Sequence, residues 1–277
     1  MSRPRAVTAV RALKVRPDRH VEVPELLATE EPMEIRAAGP GQAPAPVAVT
    51  MRTPGHDFEL AVGFMVTEAL VTIGDIATVS YCGAADSPAG QFNAVTVSLW
   101  RPWSSAGPTR GFVVTASCGV CGKASIDEVA LECPVVPPGP VLPASLIPTL
   151  PGRLREAQRV FDQTGGLHAA GLFDRAGRLC WLREDVGRHN AVDKVVGAAV
   201  LSRESAHDGA VLMVSGRVSF EIVQKAAMAG FAVVAAVSAP SSLAVDAAVR
   251  LGVTLAGFVR DGSYNVYSHP GRLDLDR

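Results

Sequence analysis

Apolar and polar positions follow two different rhythms along this chain. Up to about residue 115, short runs at 20–23, 46–52, 76–82, 92–99 and 111–115 have the alternation or β-branched density of strands. They surround one helical stretch that begins near His56 and carries Phe58, Val62, Phe64, Met65 and Leu70. This predicts a mostly β first half. After residue 151 the period lengthens: a helix over 152–163, hairpin strands 168–174 and 178–183, and a helix over 190–201. Strands 210–214, 231–237 and 253–259 then alternate with helices 219–229 and 242–251. These last strands are almost continuous Val, Ala, Leu, Met and Phe, as expected of parallel strands buried on both faces and joined by crossover helices. Between the halves, residues 134–151 hold seven prolines, which suits neither a helix nor a central strand and reads as a linker. The pattern predicts an α/β protein: a smaller, mostly β α+β domain over residues 1–145 and an α/β domain with parallel strands over 146–277.

Composition narrows the class of partner. With 26 basic and 27 acidic residues the net charge is −1, which gives no general electrostatic case for nucleic acid or an anionic membrane. An apolar fraction of 48% over 277 residues supports a full core. No apolar run approaches the length of a membrane span, and the first residues lack a signal-peptide core, so a cytoplasmic location is expected. Five cysteines, an odd number, argue against a disulfide scaffold and fit a reducing compartment.

The sharpest chemical signal is Ser117-Cys118-Gly119-Val120-Cys121-Gly122-Lys123. The apolar run Phe112 to Thr115 leads into this loop, and Ser125 with Glu128 makes a capping box that starts a helix beyond it. Glycines on either side of Cys121 leave the sulfurs uncovered, and Lys123 adds a positive charge that favours thiolate, the reactive form. Sulfur or redox chemistry, half a zinc site and a structural pair all remain open on this pattern. The other cysteines, 82, 133 and 180, do not supply a second ligand pair for zinc, so no metal is expected.

In an open parallel sheet, ligands gather at the carboxyl ends of the strands. Three successive ends here are small or polar: Ser215-Gly216-Arg217, Ser238 through Ser242, and Arg260-Asp261-Gly262-Ser263. The first two run into helices, so free backbone N–H groups and the Arg217 and Arg260 charges would suit an anion such as phosphate. Glu184 through Lys194 is dense in ionisable groups at a strand-to-helix junction, and is either a paired network or a site for ligand and proton chemistry. His189 is its ambiguous member, placed in sequence between Asp185 and Asp193. The acidic first turn after Arg52-Thr53-Pro54-Gly55-His56 is what the helix dipole alone would select. The element order α-β-β-α-β-α-β-α-β resembles the cytidine deaminase fold. The His-x-Glu and Pro-Cys-x-x-Cys zinc motifs of that group are absent, so the scaffold is deaminase-like and the chemistry is not.

Taken together, the run from Arg52 to Gly63, the Cys-x-x-Cys loop, and the stretches Thr164 to Ala170, Glu184 to Gly197, Ser215 to Gly230 and Ser238 to Tyr267 resemble the FdhD family. These are sulfurtransferase accessory proteins required for formate dehydrogenase activity. The resemblance implies a sulfur carrier that accepts sulfur from a cysteine desulfurase as a persulfide and passes it to the molybdenum cofactor, bis-molybdopterin guanine dinucleotide. It places the persulfide on Cys118, with Cys121 as its partner. It places cofactor binding on Phe258, Val259, Arg260, Asp261, Gly262 and Ser263, which coincides with the third strand end. The expected binding set also takes in Ser215, Gly216, Arg217, Ser238 and His189 from the other loops. The implied partners are the desulfurase, the formate dehydrogenase catalytic subunit, the guanine nucleotide part of the cofactor and a second copy of the chain in a homodimer. Two other functions fit the cysteine pair: a thiol–disulfide oxidoreductase, and a maturation chaperone that holds the cofactor without moving sulfur.

Overall fold

In the computed structural model the described residues are 5–82, 92–104, 113–114, 133–202 and 210–275. The chain opens with a hairpin of β1 (Val7–Val15) and β2 (His20–Ala28), which form a separate two-stranded sheet. Only its second strand shows in the sequence pattern, and only in part. Leu13, Val15, Val21, Leu26 and Leu27 are exposed, so neither strand alternates cleanly between buried and polar positions.

A five-stranded sheet follows, built from β3 (Glu31–Ala38), β4 (Ala45–Arg52), β5 (Ile76–Tyr81), β6 (Ala94–Leu99) and β7 (Val113–Val114), in the order β5-β6-β3-β4-β7. β3 is a strand that the sequence pattern missed. Met33, Ile35 and Ala37 are buried on every second position, but Glu34 and Arg36 between them pair with each other and mask the run. Between β4 and β5 lies α1 (Asp57–Thr67), in which Leu60 through Thr67 are all buried.

The second half holds a six-stranded sheet in the order β10-β9-β11-β12-β13-β14, from β9 (His168–Phe173), β10 (Leu179–Asp185), β11 (Val211–Val214), β12 (Val233–Ala236), β13 (Thr254–Arg260) and β14 (Ser263–Ser268). β11, β12 and β13 run parallel, as their apolar sequences require, and β9, β10 and β14 are antiparallel to their neighbours. The crossovers are α5 (Phe220–Met228) and α6 (Ser242–Leu251), while α4 (Arg188–Ser202) leads from β10 into β11. The protein is therefore mixed α/β with several sheets. The helix expected over 152–163 is two helices, α2 (Leu150–Ala157) and α3 (Arg159–Thr164), broken at Gln158, whose ψ of 79° is not helical.

The period of two sorts the large sheet into its layers. Leu172, Leu212, Val214, Val234 and Leu255 face a core shared with α1, α4 and α5. Phe173, Val211, Met213, Val233, Ala235 and Ala256 face a second core with Leu142, Ile147, Leu150 and Leu154, which Val259 joins beyond the register irregularity after Gly257. That second core corrects the linker reading. The proline-rich run carries β8 (Leu142–Pro143), paired with β15 (Leu273–Asp274), and a 3-10 turn over Ala144–Thr149. Pro151 stands in the first turn of α2, where a missing N–H costs little. The apolar residues between the prolines fix the segment, since Leu142, Ile147 and Leu150 are at most 1% exposed.

α1 and α4 cross in backbone contact. A methyl group at Gly63 would overlap the Asp193 carbonyl, and one at Gly197 would overlap the Glu59 carbonyl. Both positions therefore need glycine, and through this crossing the two halves contribute to the same apolar cluster.

Candidate functional site

Antiparallel pairing of β9 and β10 brings the start of β9 level with the end of β10, so His168 pairs with Asp185. β11, β12 and β13 also end on this edge. Five segments thus lie side by side: Asp185 to Arg188, His168, Ser215 to Arg217, Ser238 to Ser241, and Phe258 to Ser263. The loops are laced together. Ser215 N–H donates to the Ala169 carbonyl, Val218 N–H to that of Ala239, and Ser241 N–H to that of Val218. Phe258 N–H donates to the Ser238 carbonyl over 3.2 Å. The fold therefore brings Ser215, Gly216, Arg217, Ser238 and the Phe258–Ser263 stretch onto one sheet edge.

The third strand end differs from the other two because it turns into a hairpin rather than a helix. Arg260 pairs with Ser263 across Asp261 and Gly262, whose φ values of 51° and 77° make the tight two-residue turn. Phe258, at φ 55°, is also in the left-handed region and its ring is exposed, with the Arg260 guanidinium 5.9 Å from its centre. Val259 is fully buried in the second core, so its side chain faces away from the edge. The Ser215 hydroxyl is partly engaged, accepting the Ala169 N–H at 2.9 Å.

His189 lies behind this edge, between the first turns of α4 and α5. Its Nε2 is 3.1 Å from Ser219 Oγ and 3.7 Å from Glu221 Oε2. Burial pushes its pKa down to about 4, and the charges of Lys225 and Arg188 act in the same direction. The imidazole is therefore neutral at pH 7. Neither flanking aspartate is its partner, which corrects the picture suggested by their nearness in sequence.

Those aspartates belong to a seam of paired charges between the halves. Asp185 Oδ2 is 2.6 Å from Lys194 Nζ and accepts the Thr53 N–H, while Oδ1 accepts from Gly187 N–H and Asn190 Nδ2. Lys194 also donates to the Thr53 carbonyl at 2.8 Å. Asp193 accepts from Lys225 Nζ at 2.9 Å and from Thr67 Oγ1 at 2.7 Å, and Lys225 also donates to Glu68. Burial alone would lower the Lys225 pKa, but the carboxylates of Asp193 and Glu68 outweigh it and hold the ammonium charged.

The acidic first turn of α1 is likewise pinned. Fully buried Arg52 grips Asp57 through two hydrogen bonds of 3.0 and 3.2 Å, and Tyr81 O–H donates to the same carboxylate at 3.1 Å. Glu59 binds Arg183 and His56. Burial would raise its pKa, yet these two partners hold it below the usual carboxylate range. Lys225, Glu68 and Thr67 were missed in the sequence because nothing in local spacing joins residues more than a hundred positions apart.

Cys118 and Cys121, with Lys123, Ser125 and Glu128, lie outside the described residues. The last described residues before them are Val113 and Val114 of β7, paired with Val49 and Thr50 of β4. Among the described residues no helix is long and apolar enough to cross a membrane.

Residues 28–274 match the model of the FdhD/NarQ family. The chain belongs to the FdhD/NarQ family. It is 50% identical over 260 residues to the sulfur carrier protein FdhD of Streptomyces coelicolor, covering 91% of this chain and 90% of that one. Against the protein of the same name from Mycolicibacterium paratuberculosis it is 49% identical over 259 residues, covering 90% and 92%. A solved structure of a formate dehydrogenase accessory protein from Desulfotalea psychrophila superposes with a TM-score of 0.74 at 25% identity, covering 97% of this chain and 99% of that one. The FdhD/NarQ match begins at the last residue of β2, so most of the exposed hairpin precedes it.

Proposed function

We propose that this protein is a sulfur carrier that takes sulfur from a cysteine desulfurase onto Cys118 and passes it to bis-molybdopterin guanine dinucleotide destined for a formate dehydrogenase catalytic subunit. Family membership and the names of the curated relatives support the sulfur-carrying role. The observation that carries the cofactor half of the reading is the laced carboxyl edge, where Ser215–Arg217, Ser238 and the Phe258–Ser263 hairpin stand together. Such an edge offers backbone N–H groups, hydroxyls and guanidinium charge to an anionic nucleotide. The reading also keeps a deaminase-like C-terminal sheet, supported by the order β10-β9-β11-β12-β13 with its three parallel strands.

The chemistry is a transfer of sulfane sulfur. The Cys118 thiolate attacks the outer sulfur of the donor's persulfide; a new S–S bond forms on Cys118, the donor's S–S bond breaks, and the donor cysteine leaves as thiolate. Attack of the Cys121 thiolate on the inner sulfur of Cys118 then forms the Cys118–Cys121 disulfide, breaks the persulfide S–S bond and releases the outer sulfur as hydrosulfide, the atom delivered to the cofactor, which is substrate here.

Intact-mass spectrometry after incubation with a cysteine desulfurase and cysteine tests this. Wild type is expected to gain about 32 Da, reversed by reductant, and Cys118→Ala to gain nothing. A gain lost only in Cys121→Ala moves the carrier to the second cysteine. No gain in wild type overturns sulfur transfer in favour of a cofactor-holding chaperone.

A further inference from the structure

Among the described residues the N-terminal hairpin pairs with no other strand, so both of its edges are open. Its hydrogen bonds decide what each edge offers. Arg16 and Arg19 exchange two backbone hydrogen bonds at the turn, and Thr29 N–H donates to the Ala6 carbonyl at the base. Between them the register runs unbroken from Val7 opposite Ala28 to Val15 opposite His20. In an antiparallel pair, residues that exchange hydrogen bonds alternate with residues whose backbone groups point outward. The even positions of β1 therefore bond to β2, while Val7, Ala9, Arg11, Leu13 and Val15 turn their N–H and C=O groups outward.

The two edges are not equivalent. On β2 the outward positions are His20, Glu22, Pro24, Leu26 and Ala28, and Pro24 has no N–H to offer. A proline in the middle of an edge guards it against an incoming strand. β1 has no such guard: all five outward residues carry an N–H, and Ala9, Arg11, Leu13 and Val15 are exposed. Charge divides the hairpin in the same way. Residues 5–17 hold Arg5, Arg11, Lys14 and Arg16 and no carboxylate, whereas residues 20–31 hold four glutamates and no lysine or arginine. Arg11 meets Glu22 at 3.3 Å with both side chains exposed, a contact worth little in water, and Lys14 has no ion-pair partner among the described residues.

We propose that the outer edge of β1 is a docking site for an acidic, extended segment of a partner polypeptide, which adds to the hairpin as a third strand. Backbone pairing supplies the affinity, and carboxylates beside Arg11 and Lys14 set the register. These two cations stand on opposite faces of the strand, since their positions differ by an odd number. A second copy of this chain is a poor occupant. Pairing β1 with another β1 sets two basic strands side by side, and pairing it with another β2 meets the gap at Pro24. A two-stranded hairpin is marginal by itself, and a third strand completes it. The family match begins at Ala28, the last residue of β2, so this inference stands apart from the sulfur-carrier reading.

Fluorescence anisotropy of the full-length protein tests the site with a labelled peptide as long as β1, alternating valine and threonine, with glutamates opposite Arg11 and Lys14. Wild type is expected to bind it, and a copy methylated on the amides that face β1 to bind about tenfold more weakly. Equal affinity for the methylated copy shows attraction by charge alone and overturns strand addition. Equal affinity for a copy with lysines in place of the glutamates overturns the acidic partner. Ala9→Pro removes an outward N–H that β2 does not use, and is expected to weaken binding about tenfold; unchanged affinity rejects the site. If that variant loses the hairpin, amide exchange in wild type decides. The peptide must slow exchange at Ala9, Arg11 and Leu13 more than at Val10 and Ala12, which β2 already holds, and no slowing rejects the proposal. Slowing of those amides by phosphatidylserine vesicles and not by the peptide makes the hairpin a membrane contact and overturns the polypeptide assignment.

Discussion

Two regions of this molecule are rich in the same residue types, and the structure uses them in opposite ways. In the seam between the halves and the Arg52–Asp57 pair beside it, Arg52, Lys194 and Lys225 each face a carboxylate within 3.0 Å, and the carboxylates take further donors. At the carboxyl edge, Arg188, Arg217 and Arg260 have no acidic partner among the described residues. The difference separates architecture from recognition. A buried charge is tolerated when its partner and hydrogen bonds are supplied from within, whereas a cation at a solvent-reached edge keeps its charge without an internal partner because water solvates it.

The strongest way to break this comparison is to remove one member of the seam. Lys225→Met leaves Asp193 and Glu68 facing each other without their cation, and the expected loss is about 3–5 kcal/mol, measured as a fall in the urea midpoint. A variant as stable as wild type would mean the seam is not held together as described.

A smaller effect is expected from pH at His189, which lies where the two regions meet. Its side chain is 12% exposed, and its pKa of about 4 is below the unfolded value of about 6.5. The folded state thus binds fewer protons than the unfolded one. The associated stability is fully present above pH 6.5 and is lost as pH falls from there through 4, at most about 3 kcal/mol. Denaturant midpoints at pH 7.5 and 4.5 check this. Wild type should lose more on acidification than His189→Gln, and equal losses would place the acid sensitivity elsewhere.

The smallest effect sharpens the contrast. Arg217→Gln is expected to change stability by no more than about 0.5 kcal/mol in the same assay, because no internal partner is lost. A loss comparable to that of Lys225→Met would erase the distinction between the regions.

Much of the second half was legible in the chain because burial on both faces of a parallel strand leaves an apolar run that few other structures require. The strands at 211–214, 233–236 and 254–260 and the helices between them stand within about two residues of their sequence positions. The proline-rich segment misled because proline content reports what a backbone cannot do, while the burial of Leu142, Ile147 and Leu150 depends on a surface supplied by β9, β11 and β15. β3 was hidden for a similar reason: Glu34 and Arg36 neutralise each other locally and look like a solvated stretch.

By itself, the sequence determined the α/β alternation, the strand ends rich in small and polar residues, and the Cys118-x-x-Cys121 pair, since backbone periodicity and turn chemistry are local properties of the chain. Only the tertiary structure decided which of the many charges are spent. His189 stands between two aspartates in sequence, yet both turn to lysines, one of them from α5, while Arg188 beside it is left without a partner. Pairing is a property of distance in space, and whether a charge serves the fold or awaits a ligand is settled only when every neighbour has taken its place.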